Sequence, residues 1–140
     1  MINAVIRIRT LLPGETEYIE LTSLGTIERS GHQVIISYQE SELTGMDDTL
    51  TTITLDPDDV TIQRQGDYVS TLEFSRHEAK RCLYHTPYGT LNVTTHTREY
   101  QVTDHQEEMD LLLKYGLVIE GEAQGNTRIE MHIRPQSRTN

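Results

Sequence analysis

The sequence contains no tryptophan, one phenylalanine, one cysteine and four prolines in 140 residues. The single cysteine, Cys82, excludes an intrachain disulfide framework and suits a reducing compartment. The longest unbroken apolar runs, such as Leu111–Leu113, are far too short to span a bilayer, and no charged-then-apolar segment of signal type is visible. A soluble, cytoplasmic protein without membrane contact is expected. Positive charge is also scarce: 12 Lys and Arg stand against 22 Asp and Glu, a net charge of −10. The basic residues are spread thinly from Arg7 to Arg138. Proteins that grip phosphate backbones need clustered Lys and Arg to release counterions, so nucleic acid is not an expected partner. The acidity reads as solubility.

Motifs of catalysis are missing too. There is no Gly-x-Ser-x-Gly elbow, no phosphate-cradling glycine loop and no zincin helix, so neither an enzyme nor a cofactor is expected. The six histidines, His32, His77, His85, His96, His105 and His132, show neither His-x-His nor His-x₃-His spacing. Two imidazoles are therefore not presented together on one element, and no metal is expected. Asp56-Pro57-Asp58-Asp59 lacks the glycine and closing Glu of an EF-hand loop and reads as a turn. Cys82 sits beside Leu83 at what reads as an inward position, which predicts an inert buried thiol.

What the sequence does contain is alternation. Ala4, Ile6 and Ile8 share one face of Ala4–Thr10, with Arg7 and Arg9 on the other. A period of two marks a half-buried strand. Pro13-Gly14 breaks it, and Glu17–Arg29 resumes with Ile19 and Leu21 before a bend at Gly25. His32–Glu40 carries Val34, Ile36, Tyr38 and Glu40 on one face, and Gly45-Met46-Asp47-Asp48 reads as a turn. Thr49–Leu55 is threonine-rich and alternating. Val60, Ile62 and Arg64 alternate up to Gly66, and Tyr68, Ser70, Leu72 and Phe74 form the next run. The densest strand signal joins Cys82–Thr86 to Thr90–Thr97 across Thr86-Pro87-Tyr88-Gly89, where proline presets φ and glycine frees the re-entry.

Arg98–Val102 reads either as an edge or as a continuation of the preceding strand. Asp104 followed by Glu107 has capping-box spacing, which suits a helix start. Against a helix, Leu111, Leu113, Tyr115, Leu117 and Ile119 lie strictly two apart. A helix would scatter them and a strand lines them on one face. A strand from about Met109 to Ala123 is predicted, with room for one helical turn ahead of it. Gln124-Gly125-Asn126 then reads as the turn into Thr127–Arg134, and the chain from Pro135 reads as a polar tail.

The result is a single all-β domain over residues 1–140 with eight to ten short strands. Short sequential connections favour antiparallel neighbours, and a meander of this size removes its edges by closing into an up-and-down barrel. A two-sheet sandwich is the alternative. The residues Tyr38-x-Glu40, Val60-x-Ile62-x-Arg64-x-Gly66, Leu72-x-Phe74, Tyr84-x-Thr86-Pro87-Tyr88-Gly89, Thr97 and Leu113-x-Tyr115-x-Leu117 occur in that order. Together they resemble the YwiB-like family of small bacterial proteins, over nearly the whole chain. The resemblance implies a calycin-like, lipocalin-like β-barrel and no particular activity. Calycins often hold a small hydrophobic ligand in the barrel, but folds do not carry function by themselves.

Parity suggests a candidate site. If Val34, Ile36 and Tyr38 point inward, so does Glu40, and the strand ending in Arg64 follows the same rule. Cys82, Tyr84 and Thr86 face inward, as do Leu91, Val93, Thr95 and Thr97. Arg64, Glu40, Tyr38, Tyr84 and Thr97 are the expected polar contacts of a small, partly apolar or anionic ligand in an otherwise apolar lumen. In the competing account, Glu40 and Arg64 pair and plug the barrel, because small barrels are commonly filled by their own side chains. A filled barrel would serve instead as a protein-interaction module. It would act through its acidic outer face, and an exposed edge strand or a self-associating Met109–Arg134 hairpin, as in a homodimer, would favour it. An open lumen of about 300 Å³ or more separates binding from the module.

Overall fold

A computed structural model describes residues 1–40, 48–67 and 69–136. The strands are β1 (Ile2–Leu11), β2 (Ile19–Ser30), β3 (Gln33–Gln39), β4 (Leu50–Leu55) and β5 (Asp59–Gln65). They continue as β6 (Val69–Ser75), β7 (Lys80–Thr86), β8 (Gly89–Asp104), β9 (Met109–Ile119) and β10 (Glu122–Pro135). Every strand pairs antiparallel with its sequence neighbour, and β1 pairs with β10 to close a ten-strand barrel. Closure removes the two edges that a meander would expose, and it rules out the sandwich. Among the described residues no helix is long and apolar enough to cross a membrane. The expected turn residues Gly45, Met46 and Asp47, the strand residue Tyr68 and the tail from Ser137 lie outside the described residues.

Alternation settles which side chains fill the barrel. Ile6, Ile36, Ile53, Val60, Ile62, Phe74, Val93, Leu113 and Ile133 are buried at the predicted inward parity. At Arg98 the parity changes. A bulge between Thr97 and Glu99 lets β8 run on as one strand, so that Tyr100, paired with Leu113, is buried, while Val102, paired with Leu111, is exposed. Arg98–Val102 is therefore a continuation and not an edge.

Two connections differ from expectation. The last hairpin turns at Glu120-Gly121, and Ile119 is paired with Glu122. Both turn residues have positive φ, 50° and 81°, as a tight two-residue turn matching the strand twist requires. Gln124 and Gly125 form a bulge inside β10 instead. No helical turn precedes β9. The Asp104 carboxylate accepts from the Gln106 N–H at 2.9 Å and His105 N–H donates to Glu108 O at 2.8 Å, so the capping residue closes a turn between strands.

The barrel is tied off at one end. Tyr100 OH of β8 donates to Asp56 O in the β4–β5 turn at 2.7 Å, and Arg76 donates to Tyr100 O. Arg29 of β2 bonds Asp104 of β8 at 2.8 Å across an interval of three strands. Here too lie Ile36, Leu55, Phe74, Met109 and Ile133, all buried. Among the described residues, the seam between β6 and β7 has Cα pairs at Val69/His85 and Ser70/Tyr84. Beyond it, side chains replace the ladder: Cys82 Sγ accepts from Glu73 N–H at 3.4 Å, and Thr95 Oγ1 donates to Glu73 O.

Candidate functional site

The lumen is not filled throughout. A cavity of 450 Å³ occupies the end opposite the tied one and reaches the surface between Leu12 and Ile19, each 43% exposed. Its wall is mainly aliphatic, with Leu21, Ile53, Ile62, Leu113, Leu117 and Ile129 among the lining side chains. The volume lies within the range of small-ligand sites. Three of the predicted contacts, Tyr38, Glu40 and Arg64, line it directly; Tyr84 and Thr97 do not. Tyr115 and Thr127 also line it, and sequence reasoning had not selected them as site residues.

Strand register assembles the polar groups. Tyr38 is Cα-paired with Thr51, Thr51 with Arg64, Arg64 with Ser70, and Ser70 with Tyr84. Five successive strands thus each contribute one inward polar residue along a single line of register, and of these Tyr38 and Arg64 line the cavity. On β9, Tyr115 is paired with Thr97 of β8 and with Thr127 of β10. Thus Thr97 is the register partner of a cavity residue, Tyr115, whereas Tyr84 pairs with Ser70 and Leu91, neither of which lines the cavity. Thr51 and Ser70 carried a signal that was available: each is a hydroxyl at an inward position of a strand whose other inward positions include Ile, Leu or Phe.

Gly66 holds this line of register together. Its φ is 137°, and a Cβ on it would lie 2.0 Å from Asp48 O and 2.9 Å from Thr49 Cα. Only glycine lets the end of β5 lie against the start of β4. That contact gives the Arg64-x-Gly66 spacing its physical reason, because it brings Arg64 alongside Thr49–Thr51 and hence near Glu40.

The charges are arranged unequally. Glu40 is 8% exposed, its N–H donates to Thr49 O, and its Oε1 accepts from Thr51 Oγ1 at 2.6 Å. The Tyr38 hydroxyl is also hydrogen-bonded to Glu40. Arg64 Nε lies 3.9 Å from Glu40 Oε1, beyond hydrogen-bond range, so this pair is held by charge alone. Burial pushes the Tyr38 phenol far above its ordinary range, the Glu40 charge adds to this, and Arg64 opposes it. Burial also raises Tyr115, with Arg64 and a hydrogen bond to Thr127 pulling it back. Both phenols are therefore protonated, neutral donors at neutral pH. Three buried polar atoms have no hydrogen-bond partner among the described residues: Arg64 Nε, Ser70 Oγ and Thr97 Oγ1. Such atoms are uncommon in folded proteins, because each one left unmatched costs about 1–3 kcal/mol.

The remaining candidates lie elsewhere. Cys82 is half-buried, and burial raises its thiol pKa, as an unreactive thiol requires. Among the described residues no three of His, Cys, Asp and Glu are grouped to hold a metal ion.

These strands and side chains define a class: a closed, calycin-like up-and-down barrel with a polar-belted cavity in one half of its lumen. The family model described as a domain of unknown function, DUF1934, matches residues 6–131, and the chain belongs to that family. Among solved structures it is similar to the crystal structure of ywiB protein from Bacillus subtilis, with a TM-score of 0.77 and 17% sequence identity. That match covers 97% of this chain and 92% of the other. At this identity it speaks for the fold, and it agrees with the YwiB-like resemblance carried by the sequence. No curated protein matches the chain.

Proposed function

We propose that this protein is a non-enzymatic barrel that binds a small, partly apolar molecule in its lumen. One observation carries the reading: the 450 Å³ cavity is walled mainly by aliphatic side chains and holds Tyr38, Glu40 and Arg64 at one side. A largely apolar pocket with a few convergent polar groups suits ligand binding, whereas an interaction module would use a packed lumen. Binding is favoured over catalysis because the polar groups hold one another at rest. Glu40 is engaged by Thr51 and Tyr38, and Tyr115 by Thr127.

Native mass spectrometry of the purified protein, followed by denaturation and small-molecule extraction, tests this reading. A reproducible bound mass is expected, and it should be lost on Ile129→Trp, which fills the cavity while the variant keeps a cooperative melt. A clean protein mass, together with no uptake of an apolar fluorescent dye such as anilinonaphthalene sulfonate, would overturn it in favour of an interaction module.

A further inference from the structure

We propose that the lumen takes an apolar molecule ending in a single carboxylate, and that this carboxylate competes with Glu40 for Arg64. This inference rests on the lumen-binding reading and specifies its ligand class. The groups left over in the belt decide the class. Glu40 is already served by the Thr51 hydroxyl at 2.6 Å and by Tyr38, so it gains little from Arg64 at 3.9 Å. Arg64, by contrast, is only 16% exposed at its side chain and has a buried Nε with no acceptor among the described residues. Its register partner Ser70 is 4% exposed, with its own hydroxyl unmatched.

The Arg64 guanidinium N–H and the hydroxyl of its register partner Ser70 can both donate, and an acceptor-only head group suits both. Carboxylate is the head that a guanidinium meets best in shape and charge. A cationic head would be repelled by Arg64, and a neutral alcohol would bring it no charge beyond that of Glu40 at 3.9 Å. Glu40 then has a definite role. It is a resident carboxylate close enough to balance Arg64 while the cavity is empty. Because it keeps its two hydroxyl donors when Arg64 turns to another acceptor, exchanging partners costs it little. Two carboxylates near one guanidinium repel each other, so Glu40 also weakens the ligand it makes room for.

The test uses displacement of anilinonaphthalene sulfonate by decanoate, decanol and decylamine, which share one chain length and differ in head group. A site that reads only apolar surface prefers decanol, because an ionised head leaves water at greater cost. The expected order is instead decanoate first, by about tenfold or more over decanol, with decylamine weakest. Glu40→Gln should tighten decanoate by severalfold, and Arg64→Met should abolish its advantage over decanol. Ser70→Ala, a smaller change, should weaken decanoate and leave decanol unaltered, which keeps the test valid if Arg64→Met fails to fold. Equal or better displacement by decanol, or weaker decanoate binding in Glu40→Gln, would overturn the carboxylate inference and leave the lumen reading standing. Failure of all three compounds to displace the dye, with a clean native mass, would remove both.

Discussion

Phe74 of β6 and Tyr115 of β9 meet with ring centroids 4.7 Å apart and planes inclined at 53°. The two strands are not neighbours in the sheet, so the contact crosses the lumen. Phe74 is 1% exposed and belongs to the packed core near the tied end, while Tyr115 lines the cavity. The pair marks where filling stops and open space begins. A tilted ring contact of this kind adds about 0.5–1.5 kcal/mol to the area buried. Phe74→Ala should cost about 3–5 kcal/mol in urea unfolding and extend the cavity toward the tied end. Phe74→Leu should cost less and leave the fold intact. If Phe74→Ala were nearly neutral, the boundary between core and cavity would lie elsewhere.

Gly66→Ala should be among the most damaging single changes. The added Cβ would lie 2.0 Å from Asp48 O at a φ of 137°, so the backbones of β4 and β5 must part. A loss of more than about 2 kcal/mol is expected from strain and displacement together. Ligand binding should fall as well, because Arg64 moves with the end of β5. A thermal melt and a dye titration on the same sample check both effects.

The β6–β7 seam predicts a difference between two small side chains. Thr95 is fully buried and its hydroxyl donates to Glu73 O, whereas Cys82 accepts from Glu73 N–H through a weak sulfur acceptor. Thr95→Val keeps the shape and strands the carbonyl, which should cost about 1–3 kcal/mol. Cys82→Ala should cost less. Urea curves with unchanged slope and shifted midpoints would assign the loss to stability rather than to a changed denatured state. Equal midpoints for Thr95→Val and wild type would mean that the seam does not depend on that hydroxyl.

Stability should decline in alkali. Burial pushes Tyr100 up to about 12, and burial raises Tyr38 and Tyr115 as well. In the unfolded chain a tyrosine releases its proton near pH 10. Above that value the unfolded state holds fewer protons than the folded one, so stability falls as pH rises; below it the contribution is complete. Urea unfolding stepped from about pH 9 to about pH 11 should show this decline, with a smaller slope in Tyr100→Phe. A flat profile would contradict the burial of these phenols.

Much of this architecture was legible in the sequence because period-two alternation is a local property. Val34-Ile36-Tyr38-Glu40 and Val60-Ile62-Arg64 announce their inward faces with no knowledge of their partners. The last hairpin shows where local reading failed. Gln124-Gly125-Asn126 has stronger turn chemistry than Glu120-Gly121, yet the chain turns at the latter. A contact from the adjoining strand β8 helps hold it there: Glu120 N–H donates to Asn92 O at 2.9 Å, and Asn92 N–H donates to Glu120 Oε1 at 2.7 Å. Asp104 misled for a related reason. An aspartate bonded to the N–H two residues on suits a turn as readily as a helix cap, and the alternating run from Met109 takes the strand.

The amino-acid sequence by itself determined the all-β class, the inward faces of the strands and the presence of Tyr38, Glu40 and Arg64 on them. It did so because side-chain direction in a strand depends only on position along that strand. The tertiary structure decided which of those residues come together, adding Thr51 and Ser70 as their register partners and Tyr115 and Thr127 as further cavity-lining residues. Cross-strand register is a relation between segments far apart in sequence, set by turns, bulges and the β1–β10 closure. The same closure left one half of the lumen packed by Phe74 and its neighbours and the other half open beside Arg64. Volume enclosed by ten strands is a property of the whole barrel, and no single strand carries it.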